Sequence, residues 1–156
     1  VFNIGIITVL KTRAIGGTIA ITQIDNINGI ATSGRHGRSH SLGIADAVTV
    51  LAKNSAQADA AATLIANAVD VQDTTLVKKI PANELYPDSD LADQLVTVDV
   101  LKLPKKLAER AVAQGCDRAV DYIDRGLIKA ATISLQGIVE VVGSRHLLTQ
   151  NCNAKT

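Results

Sequence analysis

The chain has 156 residues, a formal net charge of +1 and an apolar share of 47%, which is enough for one domain with its own core. Two Tyr, one Phe and no Trp leave that core aliphatic and offer no platform on which bases would stack. With charge so nearly balanced there is no field to draw a polyanion, so nucleic-acid binding is excluded, and no apolar run reaches the length of a bilayer.

Val1–Leu10 is rich in β-branched residues and predicts a strand, with Lys11–Gly17 as a hairpin connection built on Gly16-Gly17. Thr18–Ile24 alternates polar and apolar side chains at the period of a half-buried strand, and Asp25–Gly29 has turn chemistry. From Gly29 a glycine- and hydroxyl-rich loop leads to a strand over Asp46–Ala52. Asn54 or Ser55 then caps an alanine-rich helix over Ala56–Val69, with Gln57 placed to reach back. Asp70–Asp90 holds Pro81, Pro87 and several acids and predicts an irregular excursion; Leu95–Leu101 alternates as a strand. Pro104 opens a helix that Gly115 is expected to end, and Cys116–Arg125 makes a second, shorter one. Leu127–Leu135 and Ile138–Val142 flank Gln136-Gly137, a hairpin turn, and the last dozen residues are polar. Strands in hairpin pairs and helices in blocks predict an α+β fold with a mostly antiparallel sheet.

The chemistry-bearing residues cluster between Gly29 and Val69. Asp59 and Thr63 are four apart, so a carboxylate and a hydroxyl share one helix face, hard donors of the kind that hold Mg²⁺ beside a phosphate. The ordinary structural reading is a carboxylate complementing the helix dipole and a threonine bonding the previous turn. The loop supplies Arg35, His36, Arg38, Ser39, His40 and Ser41. Arginine offers planar donors to phosphate or carboxylate, and histidine moves protons near neutral pH. Asp46 reads as a partner for Arg38, and Asn67 as a packing or capping residue. Asp88, Asp90 and Asp93 lack the spacing of a calcium loop and read as a solvated turn, and His146 as a surface residue. Cys116 reads as a buried thiol and Cys152 as incidental; two distant cysteines and no visible signal peptide predict a reduced, cytoplasmic setting. The chain lacks methionine and opens on Val1 in mid-strand, so it is expected to be a piece of something longer.

Ala31-Thr32-Ser33-Gly34, then Ala47-Val48-Thr49-Val50, then Ala58-Asp59-Ala60-Ala61-Ala62-Thr63 resemble the ApbE-like superfamily, best known for the FAD:protein FMN transferases. From Gly29 to Asn67 the chain resembles an uncharacterised branch of that superfamily more closely than the flavin transferases. The resemblance implies Asp59 and Thr63 as Mg²⁺ ligands. Thr32, Ser33, Gly34, Ser39 and Ser41 would line a site for FAD, FMN or another small phosphorylated ligand. By their own chemistry, Arg35 or Arg38 would stabilise developing charge and His36 or His40 would handle a proton. The resemblance also implies that residues 1–156 are a single half-domain, the C-terminal half of a protein about twice as long. The N-terminal half would be a separate chain or a lost segment, and homo-oligomerisation is expected. Where the flavin transferases carry His–Asp–Pro–Thr–Gly, this chain has Arg35–Gly43, RHGRSHSLG, without the Asp-Pro pair. Three functions stay open. One is Mg²⁺-assisted transfer or hydrolysis on a phosphorylated nucleotide. Another is amide or ester hydrolysis with Thr32 or a loop serine as nucleophile and His40 as base. The third is a non-catalytic scaffold subunit.

Overall fold

The computed structural model describes residues 1–9, 14–37, 40–143 and 148–149. Three layers result: a three-stranded sheet, a four-stranded sheet, and two helices over the outer face of the second. Strands β1 (Phe2–Val9), β2 (Ala14–Ile21) and β9 (Leu148–Thr149) form the first sheet, in the order β1-β2-β9. Strands β3 (Gly29–Ser33), β4 (Ala47–Ala52), β7 (Ala130–Leu135) and β8 (Ile138–Gly143) form the second, in that order. A separate ribbon pairs β5 (Val77–Pro81) with β6 (Leu95–Val100). Every pairing is antiparallel, so the fold is α+β as the hairpin spacing predicts.

Helix α1 (Ser55–Ala68) begins where expected: Asn54 is extended and its side chain accepts from the Gln57 backbone N–H at 2.9 Å. The reciprocal half of the cap is not made, since the buried Oε1 of Gln57 has no partner among the described residues. Ala58, Ala61, Ala62, Ile65 and Ala66 form the buried stripe of α1, small enough to bring its backbone close to β3 and β4. Two glycines set that approach. A Cβ on Gly29 would stand 2.1 Å from the Asn54 carbonyl, and one on Gly43 would stand 2.2 Å from the Ala66 carbonyl oxygen. The helix is therefore seated backbone against backbone at both ends. Ile44 N–H donates to Val69 O at 2.8 Å beside the second contact.

Four expectations need correction. The turn between β1 and β2 is not Gly16-Gly17, because β2 starts at Ala14 and Gly17 pairs with Ile6; β1 carries register shifts there, which glycines tolerate. Gly29–Ser33, read as loop, is an edge strand of small and hydroxyl residues. The 70–90 excursion contains β5 and a one-turn helix, α2 (Ala82–Leu85). Gly115 does not stop a helix: α3 (Lys105–Asp124) runs through it unbroken. A Cβ there would meet Val69 Cγ2 at 2.5 Å, so this glycine makes room for the α1–β5 connection rather than ending a turn. The Gln136-Gly137 turn is as expected, with φ of 48° and 89° at its two residues.

Two cores follow from the layering. The larger lies between the second sheet and the helices, and draws on Val48, Val50, Ile65, Val69, Val112 and Ile133. The smaller lies between the sheets and consists of Ile6, Ile19, Ile21, Leu51 and Ala130. No helix among the described residues is long and apolar enough to cross a membrane.

Candidate functional site

Asp59 and Thr63 are both exposed on α1, and neither has a partner among the described residues. With about 100° between successive helical residues, Asp59, Thr63 and Asn67 form a ridge along one flank. The last member shows where that flank points. Asn67 Oδ1 accepts from Leu42 N at 3.1 Å and from Ser41 Oγ at 3.5 Å, so the ridge runs up to the 35–43 loop. That end of the loop is tied down further. Thr97 N donates to Ser41 O at 2.8 Å, and Lys79 Nζ donates to Leu42 O at 2.7 Å and to Asp70 Oδ2 at 2.6 Å. Ser41 is 6% exposed and anchors the loop. Nothing local in the sequence marks Lys79 and Asp70, a lysine and an acid within a segment that reads as irregular.

The other end of the loop folds onto Asp46. Gly34 is buried, and a Cβ there would be 2.5 Å from the Asp46 carbonyl oxygen. Arg35 Nε and Nη2 each lie 3.0 Å from Asp46 Oδ1, and His36 Nε2 lies 3.5 Å from the same atom. Asp46 Oδ2 accepts from the backbone N–H of Gln136. Asp46 thus pairs with Arg35; Arg38, the partner expected for it, lies outside the described residues, as do Ser39, His146 and Cys152. His40 packs its ring against Tyr86, with centroids 5.2 Å apart.

Thr32 is not brought to the ridge. Ala31 packs into the helix-side core, so Thr32, next along β3, faces the opposite side of the sheet. There its Oγ1 lies 2.8 Å from Thr49 Oγ1, and the register continues the row to Thr132 on β7. Ser33 pairs in register with Val48, on the α1 side. The structure therefore ties Ser41 to Asn67 at the end of the α1 flank, sets Ser33 on the α1 side of the sheet, holds Arg35 and His36 on Asp46, and places Thr32 beyond the sheet. Asp59 and Thr63 are the groups that would hold a cation. Among the described residues no three His, Cys, Asp or Glu side chains are grouped to do so alone.

A model of the AbpE bacteria family matches residues 2–141 of this chain. The chain belongs to that family. Over 58 residues it is 53% identical to the UPF0280 protein MJ1526 of Methanocaldococcus jannaschii, a match covering 36% of this chain and 24% of that protein. The matched stretch thus spans about a quarter of the relative's length. No solved structure matches.

Away from the loop, this AbpE family member shifts the titration of Asp73 and of Cys116. Thr75, through its hydroxyl and then its backbone N–H, holds the Asp73 carboxyl below the usual range. Burial, with Glu140 and Asp117 adding repulsion, pushes the Cys116 thiol up to about 11. Alkylation follows the thiolate, so at pH 7 Cys116 should react about a hundredfold more slowly than an unshifted cysteine. In a Cys152→Ser background, the iodoacetamide rate should rise steadily to about pH 11. A plateau near pH 9 would contradict the burial of the thiol.

Proposed function

We propose that this chain carries the Mg²⁺- and phosphate-binding portion of a protein that handles a flavin or another phosphorylated nucleotide, by transfer or by hydrolysis. The observation that carries this reading is the Asp59–Thr63–Asn67 ridge, whose first two members are exposed and have no partner among the described residues and whose third grips the loop bearing Arg35 and His36. The donor set suits the ion. A carboxylate and a hydroxyl are hard oxygen donors, and Mg²⁺ retains waters and takes phosphate oxygens to fill its shell. Bound there, the metal would supply charge neutralisation to the phosphates. The chain's own part is to hold that charge beside the loop, where the Arg35 guanidinium meets an anion and His36 lies within reach of a proton. Similarity to the FAD:protein FMN transferases supports a flavin among the candidate ligands.

The hydrolase alternative is less well supported, since the hydroxyls of Thr32 and Ser41 are engaged by Thr49 and Asn67, neither of them a base. The deciding experiment is equilibrium binding of FAD, FMN and ADP to the purified chain, with Mg²⁺ and with EDTA. Mg²⁺-dependent binding of any of them supports the proposal. Its absence from all three, with the chain folded, leaves the scaffold reading.

A further inference from the structure

Asp46 is 5% exposed and collects donors from three places: the Arg35 guanidinium, the His36 ring and the backbone N–H of Gln136. Gln136 is itself fixed, its Nε2 donating to Leu101 O at 2.8 Å and its Oε1 accepting from Leu103 N at 2.9 Å. A carboxylate buried this deeply needs its partners, because an unpaired one is costly. The partners in turn lose their freedom.

We infer that Asp46 is a positioning residue that presets Arg35 to receive an anionic group, an inference that rests on the phosphate-binding reading above. A guanidinium has five N–H groups. Asp46 Oδ1 engages it side-on through Nε and Nη2 and leaves Nη1 without a partner among the described residues. The end-on Nη1–Nη2 edge is therefore the one offered outward, with the planar fork that suits a phosphate. Holding the long side chain in one rotamer beforehand removes ordering entropy that binding would otherwise have to overcome. Oδ2, on the Gln136 N–H, keeps the carboxylate from turning with its cargo. The clamp thus needs both oxygens, and an asparagine, with one acceptor, serves only one side of it.

The test is a double-mutant cycle on the chain, with inorganic pyrophosphate plus Mg²⁺ as the probe, read by calorimetry after thermal melting has verified each fold. Arg35→Ala should weaken binding about ten- to a hundredfold and Asp46→Asn about tenfold. The double variant should bind no worse than Arg35→Ala alone, because Asp46 acts through Arg35. Additive losses, or an Asp46→Asn chain that binds like the wild type, overturn the inference while leaving the phosphate site standing. A wild type that binds neither pyrophosphate, FAD nor ADP overturns both readings. If Asp46→Asn does not fold, the wild-type Arg35 Nε–H proton is followed by nitrogen-resolved NMR without ligand. A sharp, slowly exchanging resonance is expected, and a fast-exchanging one shows that no clamp exists.

Discussion

Replacing Gly43 with alanine should lower stability by about 3 kcal/mol or more, a large share of the 5–15 kcal/mol typical of a domain. The added Cβ would lie 2.2 Å from the Ala66 carbonyl oxygen, 2.8 Å from that of Val69 and 2.9 Å from the Asn67 Cα. All three are backbone atoms, so no side chain can rotate away to make space. Relief would have to come from lifting the end of α1 off the loop, which would break the Ile44–Val69 hydrogen bond and the Asn67 grip on Leu42. Gly29→Ala should act similarly at the other end of the helix, against Asn54 and Ser55. Gly37→Ala is the control, since its nearest neighbour among the described residues is the Gly34 carbonyl oxygen at 3.2 Å. Urea midpoints by far-UV circular dichroism decide the matter, and a Gly43→Ala midpoint equal to the wild type would mean that α1 does not sit on this residue.

Asp59→Ala should weaken Mg²⁺-dependent binding of FAD or ADP at least about tenfold, as loss of a charged contact does. Its stability should stay within about 0.5 kcal/mol of the wild type, because the side chain is exposed and has no hydrogen-bond or ion-pair partner among the described residues. Thr63→Val should weaken the same binding less, removing a neutral donor and no charge. The two readouts together are informative: a large loss of stability would show that Asp59 holds α1 in place, and unchanged binding would remove the ridge from the site. Binding lost in EDTA should match the Asp59→Ala level, since both take away the same cation.

Much of this architecture could be read from local pattern. The largely apolar β4, interrupted by Thr49 alone, the Asn54 cap with its alanine helix, and Gln136-Gly137 each carry their signal within a few residues. Where the reading failed, distant packing decided the outcome. Gly29–Ser33 has few strand-forming side chains and becomes a strand because β4 offers it a register. Gly115 resembles a helix stop until Val69 is found where its side chain would be. The site divides in the same way. The pair Asp59 and Thr63 follows from spacing along one helix. The pairing of Asp46 with Arg35, and with a turn 90 residues further on, depends on strands meeting across a sheet. Lys79, which bridges Asp70 and the Leu42 carbonyl, was likewise invisible in a stretch whose strand is set by its ribbon partner β6.

The glycine seating of α1 has a consequence for how the molecule comes apart. Contacts between main chains have no rotamers to sample, so release of the loop near Gly43 is expected to undock the helix with it. The Ile44 amide proton, bonded to Val69 O across that seam, should then exchange with deuterium only when the whole domain opens. Its exchange free energy should equal the global value measured in urea, and should fall with it, step for step, as denaturant is added.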